Sequence, residues 1–227
     1  SQETGLLVQV GHVERFNPAM LALASQDVRP YFIEAHRLAV FNPRGTDVSV
    51  VLDLMIHDLD IILKLADSPV EAVHASGVAV VSNQADIVNA RLEFANGAVA
   101  NLTASRISLK NMRKIRLFQP DAYISLDLLE KETQFVRLYG ADDPNLPSDG
   151  QIFPLETPKG QRLLHLAQPT LSPVNAIQLE LESFAQAIRE NTLPTVSIQD
   201  GYRALELAVR ISEAVEAQQA RLPIELP

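Results

Sequence analysis

Val88-Asn89-Ala90-Arg91-Leu92-Glu93-Phe94-Ala95-Asn96-Gly97-Ala98-Val99-Ala100-Asn101-Leu102-Thr103-Ala104-Ser105 is the stretch from which the fold can be read. Val88, Ala90, Leu92 and Phe94 alternate with Asn89, Arg91 and Glu93, the period of a strand with one buried face. Asn96-Gly97 then supplies a two-residue hairpin turn, because the tight turns that join twisted strands need positive φ at their centre. Ala98, Ala100, Leu102 and Ala104 form the apolar side of the returning strand. The alternation continues through Ile115 and Leu117, then Ile124, Leu126 and Leu128, then Val136 and Leu138. Val70 to about Tyr139 therefore reads as an antiparallel sheet with one apolar and one mixed face.

Working outward, Thr46 or Asp47 caps a helix from Val48 to about Leu65, which stops near Asp67-Ser68-Pro69. Before it, Tyr31 to Val40 reads as a strand, punctuated by Arg29-Pro30 and by Asn42-Pro43-Arg44-Gly45. Leu6 to Val10 is a short apolar run closed by Gly11, as expected of a buried parallel strand. Ala19 to Ala24 reads as helical. Downstream, residues Gly140 to Pro173 read as loop with one short strand. Two amphipathic helices close the chain, Asn175 to about Asn191 and Ile198 or Asp200 to about Ala220. They are long enough to cover the apolar side of the sheet. The expected class is α+β, a mostly antiparallel open sheet with helices on one face.

Composition narrows the function. The 227 residues suffice for one large domain, or one domain plus a fragment, and 47% hydrophobic content supplies a sizeable core. A net charge of -9, with no run of lysine or arginine, argues against nucleic acid and against anionic membranes as partners. Cysteine is absent, which removes disulfides and thiolate chemistry and suits a cytoplasmic protein. No segment reads as a membrane span or signal peptide. The start, Ser1-Gln2-Glu3, reads like a cut from something longer.

The chemistry concentrates in Val51-Leu52-Asp53-Leu54-Met55-Ile56-His57-Asp58-Leu59-Asp60. Ionisable groups among Val, Leu, Met and Ile are costly to bury unless they pair or react. Asp53 and His57, four residues apart, share a helix face, so the carboxylate can orient the imidazole while its other nitrogen meets a substrate. A structural Asp-His pair is the competing reading. A metal site using Asp53, Asp58 or Asp60 is disfavoured, because Asp58 and Asp60 point away from His57.

Gly11-His12-Val13-Glu14-Arg15-Phe16-Asn17-Pro18 is the second cluster. It is either a ligand-contacting loop at a strand end or a strand-to-helix turn with Pro18 at the helix start. Arg37 and Arg44 are either a clamp for an anionic ligand or ordinary solvated arginines. Gly-x-Gly-x-x-Gly, the P-loop, His-Glu-x-x-His and Gly-x-Ser-x-Gly are all absent from the sequence.

The two clusters, Leu7-Val8-Gln9-Val10-Gly11-His12-Val13-Glu14-Arg15-Phe16-Asn17-Pro18-Ala19 and Val51 to Asp60, resemble the Gfo/Idh/MocA family of nicotinamide-dependent sugar and polyol dehydrogenases. The resemblance spans essentially the whole chain, with the hairpin-rich sheet and closing helices matching the family's C-terminal domain. It implies His57 as acid/base on the substrate hydroxyl, alone or with a lysine. It implies Asp53 as the group that orients His57 and touches the sugar, and Arg15 and Asn17 near substrate and cofactor. The family's Glu-Lys-Pro motif is missing: Glu130-Lys131 is followed by Glu132 and lies in the sheet.

The resemblance thus implies residues 1–24 as a remnant of the last Rossmann strand and a junction helix. Residues 25–227 would be the C-terminal domain for substrate binding and oligomerisation. NAD or NADP is expected in the full-length parent and none in this fragment, which would be inactive alone. The wording is most similar to bacterial members that oxidise the 3-hydroxyl of UDP-N-acetylglucosamine-type sugars, where Arg37 and Arg44 would suit a diphosphate. An inositol-type substrate, or a non-catalytic oligomerisation module, is the alternative. The open sheet face is expected to form a homodimer or homotetramer.

Overall fold

The structure, a computed structural model, describes residues 5–43, 47–158 and 160–221. Its centre is the expected hairpin. Strands β3 (Ile87–Phe94) and β4 (Val99–Ser105) pair antiparallel, with Leu92 opposite Ala100 and Ala90 opposite Leu102. Gly97 sits in the turn at φ +84°, where a side chain would be strained. The Asn96 side chain donates to the Ala66 carbonyl and its backbone N–H donates to Ser68 Oγ, so the hairpin tip is tied to a helix end.

Around this pair the chain adds β1 (Phe32–Leu38), β2 (Val70–Val78), β5 (Met112–Gln119), β6 (Ala122–Asp127), β7 (Glu132–Gly140), β8 (Gln151–Thr157) and β9 (Gly160–Ala167). The nine strands form one sheet in the order β2-β3-β4-β1-β5-β6-β7-β9-β8. Every pairing is antiparallel except β1 with β4. A parallel neighbour needs a crossover, and the crossover here carries the second helix. The helices are α1 (Pro18–Leu21), α2 (Ile56–Ala66), α3 (Ala176–Glu190) and α4 (Ile198–Gln219). A 3-10 turn at Val13–Phe16 precedes α1, and a π-helical turn at Val51–Met55 precedes α2.

The alternation sorts side chains between the two faces. Ile33, Ala35, Leu92, Leu102, Ile115, Leu117, Ile124 and Leu126 are all sealed on one side. On the opposite side Phe32, Phe118 and Tyr123 stack at 5.6 and 5.1 Å, flanked by the half-exposed pair Arg116–Glu34. Helices α2 and α4 pack on the sealed face, α4 so closely on β2 that a Cβ at Gly77 would lie 2.8 Å from Val215 Cγ1 and 3.0 Å from Ala85 Cβ. Gly77→Ala is therefore expected to destabilise the fold by about 1–3 kcal/mol through overpacking. A melting temperature unchanged from the wild-type chain would refute this close approach.

Four expectations are corrected. Gly140 to Pro173 contains two strands, not one, and Pro154 is accommodated because β8 is the outermost strand. Leu6 to Val10 forms no buried strand among the described residues. Its one β-bridge joins Gln9 to Ser197, and Leu6 is exposed because no neighbouring strand covers it. Of the closing helices only α4 covers the sheet. Helix α3 packs against the 3-10 turn and leaves Ile177, Leu181 and Ile188 exposed. Finally, the helix expected from Val48 begins with the π turn at Val51, which starts from Val50 without a side-chain cap; of the two expected caps, Asp47 does not serve and Thr46 lies outside the described residues. It ends where expected, with Asp67 at φ +43°. No helix among the described residues is long and apolar enough to cross a membrane.

Candidate active site

Two buried arginines organise the region between the 3-10 turn and α2. Arg37 follows Ile33 and Ala35 on the sealed face of β1, so its register drives a charge into the interior. Such a burial is tolerated only when every donor is met. Its Nε and Nη2 donate to Asp58 Oδ2 and Oδ1 at 3.0 and 2.7 Å, and its Nη1 donates to Glu14 Oε1 at 3.1 Å. Burial alone would push the guanidinium down, but Asp58 and Glu14 outweigh it and hold Arg37 above its ordinary value.

Arg15 is clasped in the same way. Its Nε and Nη2 donate to Asp60 at 2.6 and 2.7 Å, with Asp200 of α4 3.6 Å away. Again burial opposes the charge, and again the hydrogen bond and charge of Asp60 win, so Arg15 is raised. Asp200 also completes the capping box of α4 with Ser197. Burial pushes this carboxyl up, but Ser197's hydroxyl and N–H, with Arg15 and Lys64, hold it below its ordinary value.

Asn17 joins the pieces. Its side chain accepts from Ala19 N to cap α1, and it donates to Glu14 Oε2 and to the Leu128 carbonyl. Pro18 sits at the first helical position, where no N–H is needed.

His57 lies on the first turn of α2, half-buried above this framework. Its Nδ1 is sealed from solvent without a hydrogen-bond partner. Burial first, then the nearby Arg37, hold the imidazole below its ordinary value of 6.5; Asp58 and Glu14 pull it up and His12 pushes it down. His57 therefore favours the neutral form, which can accept a proton.

The π turn sets what surrounds it. Val51 and Met55 are buried on its inner side, which leaves Asp53 exposed. No hydrogen bond joins Asp53 to His57 among the described residues, so the expected orienting contact is corrected. Extra-residue turns of this kind recur at functional sites.

The structure thus brings Arg15, Asn17, Arg37 and His57 into one region and leaves Asp53 on its outer rim. Arg44 lies outside the described residues. The expectation that Arg37 clamps an anionic ligand is corrected as well, since Asp58 and Glu14 take its Nε, Nη1 and Nη2. Sequence reasoning missed Glu14, Asp58 and Asp60 as the arginines' partners, and it missed His12. No local signal pairs Arg37 with Asp58. His12, however, stands inside a cluster already singled out.

Two cavities flank the framework. One, of about 660 Å³, is bounded by Glu14, Arg113, Lys131 and the start of α3. The other, of about 380 Å³, is bounded by Arg15, Asp60, Lys64, Asp200 and Arg203. His57 lines neither, so a substrate over its ring would be covered by groups other than these walls.

Comparison with known proteins gives four findings. The Gfo/Idh/MocA C-terminal domain profile matches residues 27–123. A UDP-N-acetylglucosamine 3-dehydrogenase from Acidithiobacillus ferrooxidans is 34% identical over 218 residues, which cover 96% of this chain and 65% of that protein. The solved structure of a UDP-N-acetylglucosamine 3-dehydrogenase from the same organism superposes with a TM-score of 0.84 at 33% identity, over 97% of this chain and 66% of the other. A levoglucosan dehydrogenase solved with NADH and L-sorbose shares the fold, with a TM-score of 0.75 at 17% identity over 96% and 66% of the two chains. The chain therefore spans just under two thirds of the length of these relatives.

Proposed function

Since the chain belongs to the Gfo/Idh/MocA family through its C-terminal domain, we propose that it is the substrate-binding portion of a cytoplasmic, nicotinamide-dependent sugar dehydrogenase. Its substrate is a UDP-N-acetylhexosamine, oxidised at the 3-hydroxyl. The observation that carries this reading is His57, a half-buried imidazole held towards its neutral form, on a helix fixed by two arginine–carboxylate clasps. The 34% identity to a UDP-N-acetylglucosamine 3-dehydrogenase supports the choice of sugar.

In this reading His57 takes the proton of the substrate hydroxyl, while a nicotinamide held outside the described residues would accept the hydride from the same carbon. Asp53, on the exposed rim one turn earlier, meets the sugar from the solvent side. Arg15, Asn17 and Arg37 hold the 3-10 turn, β1 and α2 in fixed relation, so that the imidazole stays in reach of the hydroxyl. Arg44 remains a candidate for the diphosphate.

The described residues build no βαβ unit with a glycine-rich turn, the arrangement that holds a dinucleotide. They do not by themselves fit NAD or NADP. A Rossmann domain outside these residues would hold it, with residues 1–24 as the junction and 25–227 as the substrate domain. The half-exposed sheet face, with Phe32, Phe118 and Tyr123 at its centre, is the surface for a homodimer or homotetramer.

The test is direct. The full-length protein, given UDP-N-acetylglucosamine with NAD or NADP, is expected to yield a nucleotide sugar lighter by two hydrogens in mass spectrometry. An unchanged substrate, alongside oxidation of a free polyol such as inositol, would overturn the choice of nucleotide sugar.

A further inference from the structure

We infer that His12 is a positioning residue for His57: the two imidazoles form a built pair that fixes the plane and ionisation of the reacting ring. The inference rests on the acid/base reading of His57 and adds a residue to it.

The geometry comes from two segments far apart in sequence. His12 precedes the 3-10 turn and His57 opens α2, yet their rings meet edge to face at 6.1 Å between centroids and 87° between planes. Edge-to-face packing aims the positive rim of one ring at the negative face of the other, so it restrains rotation of both. His12 is only 6% exposed. Its Nδ1, like that of His57, is sealed without a hydrogen-bond partner among the described residues.

Buried polar atoms without partners are uncommon and costly, and here two of them belong to facing rings. Nε2 of each ring makes no internal hydrogen bond among the described residues either.

Arg37 from β1 and His12 push the protonation of His57 down, whereas Asp58 on α2 and Glu14 from the 3-10 turn pull it up. The arginine and the two carboxylates are locked to one another. His12 is thus the one of these four neighbours that can be changed without opening the buried ion pairs. Removing it should raise the pH at which His57 gains its proton, and the acid limb of the rate profile should move to higher pH.

Two variants separate orientation from charge. His12→Gln removes the ring, whereas His12→Phe keeps a ring of similar size and removes the nitrogens. In the 227-residue chain, with imidazoles labelled with nitrogen-15, the titration midpoint of His57 followed by NMR is expected to rise in both variants. In the full-length enzyme kcat is expected to fall about tenfold for His12→Gln and to recover to within about threefold for His12→Phe. The acid limb of kcat/KM should move upward in both. An unmoved His57 midpoint in both folded variants would overturn the inference. A moved midpoint with an unmoved rate profile would instead overturn His57 as the base, which separates the failure of that reading from the failure of the pairing.

Discussion

If the proposed function holds, replacing His57 with alanine is expected to lower turnover of the full-length protein by about 10²–10⁴-fold, the usual contribution of a positioned acid/base. The loss should fall on kcat, with nicotinamide binding nearly unchanged, because the described residues around the imidazole build no dinucleotide-binding unit. Stability should change little. The ring is half-buried, and its sealed Nδ1 makes no hydrogen bond that the substitution would break. Steady-state rates beside a cofactor titration check both halves. Near-wild-type turnover in this variant would remove His57 from the reaction.

The second large effect is on folding. Arg37→Met removes the only charge among the described residues that satisfies both oxygens of Asp58, whose side chain is 5% exposed. Breaking one partner of a buried pair leaves an uncompensated carboxylate, which costs about 3–5 kcal/mol. Glu14 suffers less, since Asn17 and Arg113 still reach it. Arg37→Lys should recover little, because an ammonium cannot reproduce the two-pronged contact. Joint replacement by Arg37→Met and Asp58→Leu should regain much of the loss, as apolar groups of similar volume can replace a buried ion pair. Denaturant melts of the three variants check the order. Equal stability of Arg37→Met and wild type would refute the framework.

These two expectations mark what the sequence could and could not disclose. The β3–β4 hairpin, the ends of α3 and α4 and the stop of α2 were legible because their signals are local. Alternation, Asn96-Gly97, the Asn175 cap on Ile177 and Gln178, and the Ser197–Asp200 capping box all act within a few residues. The β8–β9 hairpin was missed because an outermost strand exposed on both faces shows no apolar alternation. The partner of Arg37 was hidden for a different reason. Asp58 is chosen by how β1 and α2 pack, and no spacing along the chain encodes that. Asp53 and His57 show the limit of a periodicity argument, since a π turn ending two residues before the histidine altered the outcome.

The site of β1 in the sheet has a consequence for how the molecule comes into being. Phe32 faces Val99 on one side and Phe118 on the other. During synthesis both edges of this strand stay open until two much later strands have left the ribosome. Its sequence, Phe-Ile-Glu-Ala-His-Arg-Leu, is apolar enough to seek other strands meanwhile. Closing the sheet around it is a long-range step, and such steps are slow. Arg37 then matters a second time. A charge within a sticky strand opposes pairing between nascent chains and becomes comfortable only when Asp58 arrives.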